Sequence, residues 1–145
     1  MLKTSQICVL ISSCAVAAVC VLAQDKDKPE VDPKLFPPPS TKQGVTYAAD
    51  IQPIFQKSCY PCHSPKMAKP KGKLRLDSLE LVLKGGEDGP ILVSGDSAKS
   101  TVVAMISHQG DPDDYMPPPK NKDSIQPLTK EQIGLIRAWI DQGAK

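Results

Sequence analysis

In the segment Cys59-Tyr60-Pro61-Cys62-His63, two thiols stand one helical turn apart and an imidazole follows at once. Before it, Tyr47 to Lys57 has helical spacing that turns Tyr47, Ile51, Ile54 and Phe55 towards a core. Pro53 interrupts that pattern and fits the start of a second, tighter helical segment. After it comes a loop containing Pro65 and Pro70, then a short alternating run from Lys73 to Leu76.

Further on, Asp77-Ser78-Leu79-Glu80 has the look of a helix start with a capping box, and Gly85-Gly86 stops that helix. Ser97 to His108 predicts another helix with Val102, Val103 and Ile106 near one face. Gly110 to Pro127 is irregular and holds Met116-Pro117-Pro118-Pro119. The last helix begins at Thr129, with Gln132 completing a capping box, and ends at Gly143. It exposes Lys130 and Glu131 and buries Ile133, Ile136, Trp139 and Ile140. There is no internal repeat and no convincing βαβ unit.

Composition sets the outer limits. The chain has 145 residues and a net charge of +2, which excludes a strongly basic nucleic-acid binder and an acidic disordered tail. With 15 prolines, much of it must be extended or turning. Residues 1–23 have the character of a secretory signal: Lys3 is the only charge, Ile7 to Ala23 is apolar or small, and Val21-Leu22-Ala23 suits a signal peptidase. The competing readings are an uncleaved anchor, whose apolar run is at the lower edge for a bilayer span, and a lipoprotein box at Ile11-Ser12-Ser13-Cys14. Cleavage removes Cys8, Cys14 and Cys20 and leaves Cys59 and Cys62. Export to the periplasm follows as an expectation. Residues 24–44 alternate charges with Pro29, Pro33, Pro37, Pro38 and Pro39, which predicts a mobile polyproline spacer ahead of a domain over 45–145. A strap pinned to the domain by Leu35 and Phe36 is the alternative.

Two thiols and a following histidine in this spacing are the attachment signature for c-type haem. The thiols reach two vinyl groups on one porphyrin edge, and His63 turns its imidazole to the iron. The other ring nitrogen then needs an acceptor, expected in the proline-containing loop near Pro65. The same cysteines suit a thiol–disulfide active site, but that chemistry wants the first cysteine at the start of a helix that follows a strand. Zinc wants four ligands, and beside these thiols only His63 and His108 are on offer. A bound macrocycle would also thicken a core poor in aromatics, with Phe55, Leu76, Leu79, Val102, Met105 and Trp139 packed on it.

The second axial ligand must come from Met67, Met105, His108 or Met116. Met67 follows His63 too closely to reach round. Met105 reads as core packing, and His108 as a cation at a helix end. Met116 stands on a loop stiffened by three prolines and is favoured, with His108 as the alternative. A filled sixth position suits electron transfer. An open one would suit a haem-based ligand sensor or a peroxidase-like protein.

The series Asp50-Ile51-Gln52-Pro53-Ile54, Cys59-Tyr60-Pro61-Cys62-His63, Lys73-Leu74-Arg75-Leu76-Asp77-Ser78, Gly85-Gly86, Gly89-Pro90, Ser94-Gly95-Asp96 with Ser100, Met116-Pro117-Pro118 and Ala138-Trp139-Ile140-Asp141-Gln142-Gly143-Ala144 resembles a monohaem cytochrome c domain of the planctomycete type. The resemblance spans Asp50 to Ala144. It implies a small all-α cytochrome c-like fold with crossed first and last helices and long irregular loops, one covalent haem c, His63 and Met116 as axial ligands, and an electron carrier rather than an enzyme. Ser64 stands where glycine is common and Ser94 where proline is common; neither is at a ligand position. Separate redox donor and acceptor proteins are expected. Lys57, Lys66, Lys69, Lys71, Lys73 and Arg75 form an acid-free stretch around the motif, which would steer an acidic partner; a solvated loop is the plainer reading. Asp111, Asp113 and Asp114 cluster just before Met116. Nucleic acid is not an expected partner, and a membrane only through an uncleaved signal.

Overall fold

The computed structural model describes residues 30–145, so the readings for residues 1–23 fall outside the described residues. Among the described residues the chain forms five α-helices and no β-strand: α1 (Gln52–Ser58), α2 (Tyr60–His63), α3 (Leu79–Lys84), α4 (Thr101–Ile106) and α5 (Lys130–Asp141). None of these helices is long and apolar enough to cross a membrane. The fold is the expected small all-α domain, with long irregular connections between α2 and α3 and between α4 and α5.

A wide π-type turn at Tyr47–Ile51 leads into α1. Pro53 has no amide hydrogen to donate back to Ala49, so the wide turn gives way to a regular helix there. Thr46 caps the turn by accepting from the Ala49 amide. Tyr47 and Ile51 are thereby turned inward, where the Tyr47 ring lies 6.0 Å from Trp139 of α5 and 6.3 Å from Phe55 of α1. The two ends of the domain meet here: the Tyr47 amide donates to the Lys145 carbonyl, and the Val45 amide to Gln142 Oε1.

The last helix follows its sequence closely. Thr129 and Gln132 form the reciprocal capping box, and Ile133, Ile136, Trp139 and Ile140 are buried. The start of α3 differs from expectation by one residue. Ser78, rather than Asp77, caps it by accepting from the Leu81 amide, while Asp77 takes a two-pronged pair with Arg75. An available guanidinium outbids the helix start for that carboxylate. Ser97 to His108 divides into a tight turn at Ser97–Lys99 and then α4.

The stretch expected to be a mobile spacer is, from Phe36 onward, a strap laid along α5. Phe36 is buried, whereas Leu35 is exposed. Arg137 of α5 stacks over the Phe36 ring at 5.6 Å and donates to the Pro37 carbonyl at 2.6 Å. The Ser40 amide donates to the Gly134 carbonyl, and Gln142 Nε2 to the Lys42 carbonyl. Prolines cannot form a ladder, but their carbonyls still accept, and α5 supplies the donors.

Candidate functional site

The Cys59–His63 segment sits at the junction of α1 and α2. Cys59 ends α1, its amide donating to the Phe55 carbonyl, and α2 is a single turn closed by the His63 amide on the Cys59 carbonyl. That turn places Cys59, Cys62 and His63 on one wall of a cavity of about 310 Å³, within the range of small-molecule sites. Met116 lines the same cavity, as do Met67 and Met105. The remaining lining is mainly apolar, with Phe55, Leu74, Leu76, Ile91, Val102, Ile106 and Leu128. Lys71, Lys120, Asn121, Lys122 and Asp123 give it one polar rim.

His63 is buried, and its Nδ1 lies 3.3 Å from the Leu74 carbonyl. That leaves Nε2 free for another bond. The acceptor comes from beyond the proline-containing loop rather than near Pro65. Pro65 is exposed, while Leu74 is drawn against α2 because the Leu76 amide also binds the His63 carbonyl. Burial is the main cause that lowers the His63 pKa, aided by the charge of Lys71, so the neutral imidazole that a metal requires is favoured. Burial, with Cys62 nearby, pushes the Cys59 thiol up to about 12. A disulfide-exchange nucleophile needs the opposite shift. Among the described residues no three His, Cys, Asp or Glu side chains gather as a metal-binding group.

His108 does not line the cavity. Its ring stacks on Tyr115 at 4.7 Å, nearly parallel, and its Nε2 is buried without a hydrogen-bond partner. Met116, held on the Tyr115 side of this stack, reaches the cavity instead, and the peptide between it and Pro117 is cis. Of the expected core, Phe55, Leu76, Val102 and Trp139 are buried, Leu79 is partly buried against them, and Met105 belongs to the cavity wall. The rim lysines Lys120 and Lys122 escaped the sequence reading. The only signal was their position just beyond the Met116 prolines, in a loop closed by Asn121 through bonds to Pro118 and Ile125.

Residues 59–120 match the family model described as Planctomycete cytochrome C. The match supports a planctomycete-type cytochrome c domain over these residues. No curated protein and no solved structure gives a match. A cytochrome c domain implies a covalently bound haem c, and the donor set fits one. Two thiols, a neutral imidazole with one nitrogen free and a thioether share a single apolar cavity. The tight α1–α2 junction sets the spacing of the two thiols.

Proposed function

We propose that this protein is an electron carrier with one haem c, held by Cys59 and Cys62 and ligated by His63 and Met116. One observation carries the reading: the four side chains line the same cavity although Met116 is remote in sequence. Bound haem supplies a one-electron iron centre. The chain's part is to hold and insulate it. Cys59 and Cys62 are anchors, not nucleophiles, in keeping with a Cys59 thiol that burial makes hard to ionise. His63 offers Nε2 while Leu74 holds Nδ1. Met116 would supply the second protein ligand to the iron and would so bar small ligands. The apolar wall from Phe55 to Leu128 keeps water away and favours the less charged form of the centre. A single C-x-x-C-H in the sequence supports one haem.

Docking is proposed at the polar rim. Lys71, Lys120 and Lys122 stand there, all exposed, with Lys57, Lys66 and Lys69 also exposed in the nearby sequence. Lys73 and Arg75 already pair with Glu87 and Asp77. This balance favours an acidic redox partner, as a separate protein. Export to the periplasm rests on the signal-like residues 1–23.

Mass spectrometry and a reduced-minus-oxidised visible spectrum of the exported protein test the proposal. It requires one haem mass on the chain and sharp ferrous bands. A colourless product whose two thiols both react with an alkylating reagent overturns it.

A further inference from the structure

The glycine turn at Gly85-Gly86 lies against the loop that holds the His63 ring. Gly85 needs its glycine for backbone reasons: its φ is +80°, and a Cβ there would sit 2.1 Å from the Gly89 carbonyl oxygen. Gly86 is different. Its backbone is outside the left-handed region, so any residue could adopt it. What excludes a side chain is space. A Cβ on Gly86 would stand 2.6 Å from the Gly72 carbonyl oxygen and 3.3 Å from Leu74 Cβ. The neighbouring Glu87 amide donates to that same Gly72 carbonyl at 2.8 Å. The turn thus both grips and presses on the segment Gly72–Leu74, and Leu74 is the residue whose carbonyl faces His63 Nδ1 at 3.3 Å.

We propose that Gly86 is a positioning residue for the axial histidine: its missing side chain lets the Gly85–Glu87 turn seat Leu74 so that the Leu74 carbonyl accepts from His63 Nδ1. This deepens the proposed electron-carrier function and rests on His63 being an iron ligand. A hydrogen bond from the ring raises its strength as a donor and steadies the ferric form. Filling the space at Gly86 pushes backbone, not a flexible side-chain end, and the Leu74 carbonyl is the group that moves.

The test compares Gly86→Ala with Gly95→Ala in the exported, haem-loaded chain. Gly95, unlike Gly86, has a positive φ, +86°, but a Cβ there meets nothing within 4 Å, Leu74 included, so this variant loses stability without touching the His63 bond. Gly86→Ala is expected to raise the reduction potential and to speed exchange of the His63 Nδ1 proton by roughly tenfold, the net worth of one hydrogen bond. Gly95→Ala is expected to leave both at wild-type values. If Gly86→Ala fails to accumulate, Glu87→Pro removes the amide that grips Gly72 and should produce the same two changes. A folded Gly86→Ala protein with wild-type potential and wild-type exchange overturns the inference. A wild-type chain without haem would instead overturn the proposed function. Exchange at His63 would then still report whether Gly86→Ala loosens the Leu74 contact.

Discussion

The Met116 amide donates to the Met105 carbonyl at 3.1 Å. This bond closes the loop between the end of α4 and the cavity, and the His108–Tyr115 stack fills the loop from within. Two methionines therefore reach one cavity, yet their sequence contexts differ: one lies in the last turn of α4, the other precedes three prolines.

Replacing each in turn separates their roles. Met116→Ala should let the ferrous protein bind carbon monoxide at neutral pH, seen as a new visible spectrum. Met105→Ala should not, and should cost about 2 kcal/mol, the low end for a half-buried methionine. The opposite pattern would exchange the two assignments.

Gly134→Ala tests the strap. In an isolated helix this change gains about 1 kcal/mol. Here a Cβ at 134 would stand 2.6 Å from the Pro38 carbonyl oxygen, which is backbone and cannot step aside cheaply. A net loss of thermal stability is expected, with faster proteolysis between Phe36 and Lys42. A gain in stability would show that the strap yields freely.

Much of the architecture could be read from local pattern. Thr129 and Gln132 announced the start of α5, and the apolar spacing from Ile133 to Ile140 announced its buried face. The three residues of the attachment motif announced one wall of the cavity. What escaped was set by long-range pairing. Phe36 stands beside Leu35 ahead of three prolines, and nothing local reveals that Phe36 is the one buried or that Arg137 stacks on it. The acceptor for His63 is a main-chain carbonyl, and every residue carries one, so Leu74 could not be singled out by residue type. Asp77 looked like a cap because Arg75 was not yet known to turn back to it.

Thr129→Ala should cost about 1 kcal/mol in chemical denaturation, since it removes one half of the capping box and strands the Gln132 amide. Thr129→Ser should restore most of that loss.

Acid should weaken the fold through three carboxylates. Lys42 holds Asp50, Arg75 holds Asp77 and Lys99 holds Asp96 below the ordinary value of 3.8. A carboxylate lowered on folding contributes stability above its unfolded pKa and loses it as pH falls through the folded one. The denaturant midpoint should therefore hold steady from these groups above about pH 4 and drop below it. Asp50→Asn should make the drop shallower. The basic partners reach solvent while the carboxylates are half-buried, so the effect is small and shrinks with salt.

Electron exchange with an acidic partner should slow by about tenfold between low and physiological ionic strength. Lys71→Glu or Lys122→Glu should slow it at low salt and flatten the dependence. A rate indifferent to salt would remove the docking proposal.

The pinning of Phe36 shortens the leash on this domain. Counted by composition, free chain would run as far as Val45. Counted by contact, Phe36 is buried and Val31 already packs on the core, so at least the nine positions from 36 to 44 are withdrawn, or roughly 30 Å of fully stretched backbone. Any tether upstream would therefore hold the proposed redox centre within a tighter radius, and a partner would have to be met within that smaller sphere.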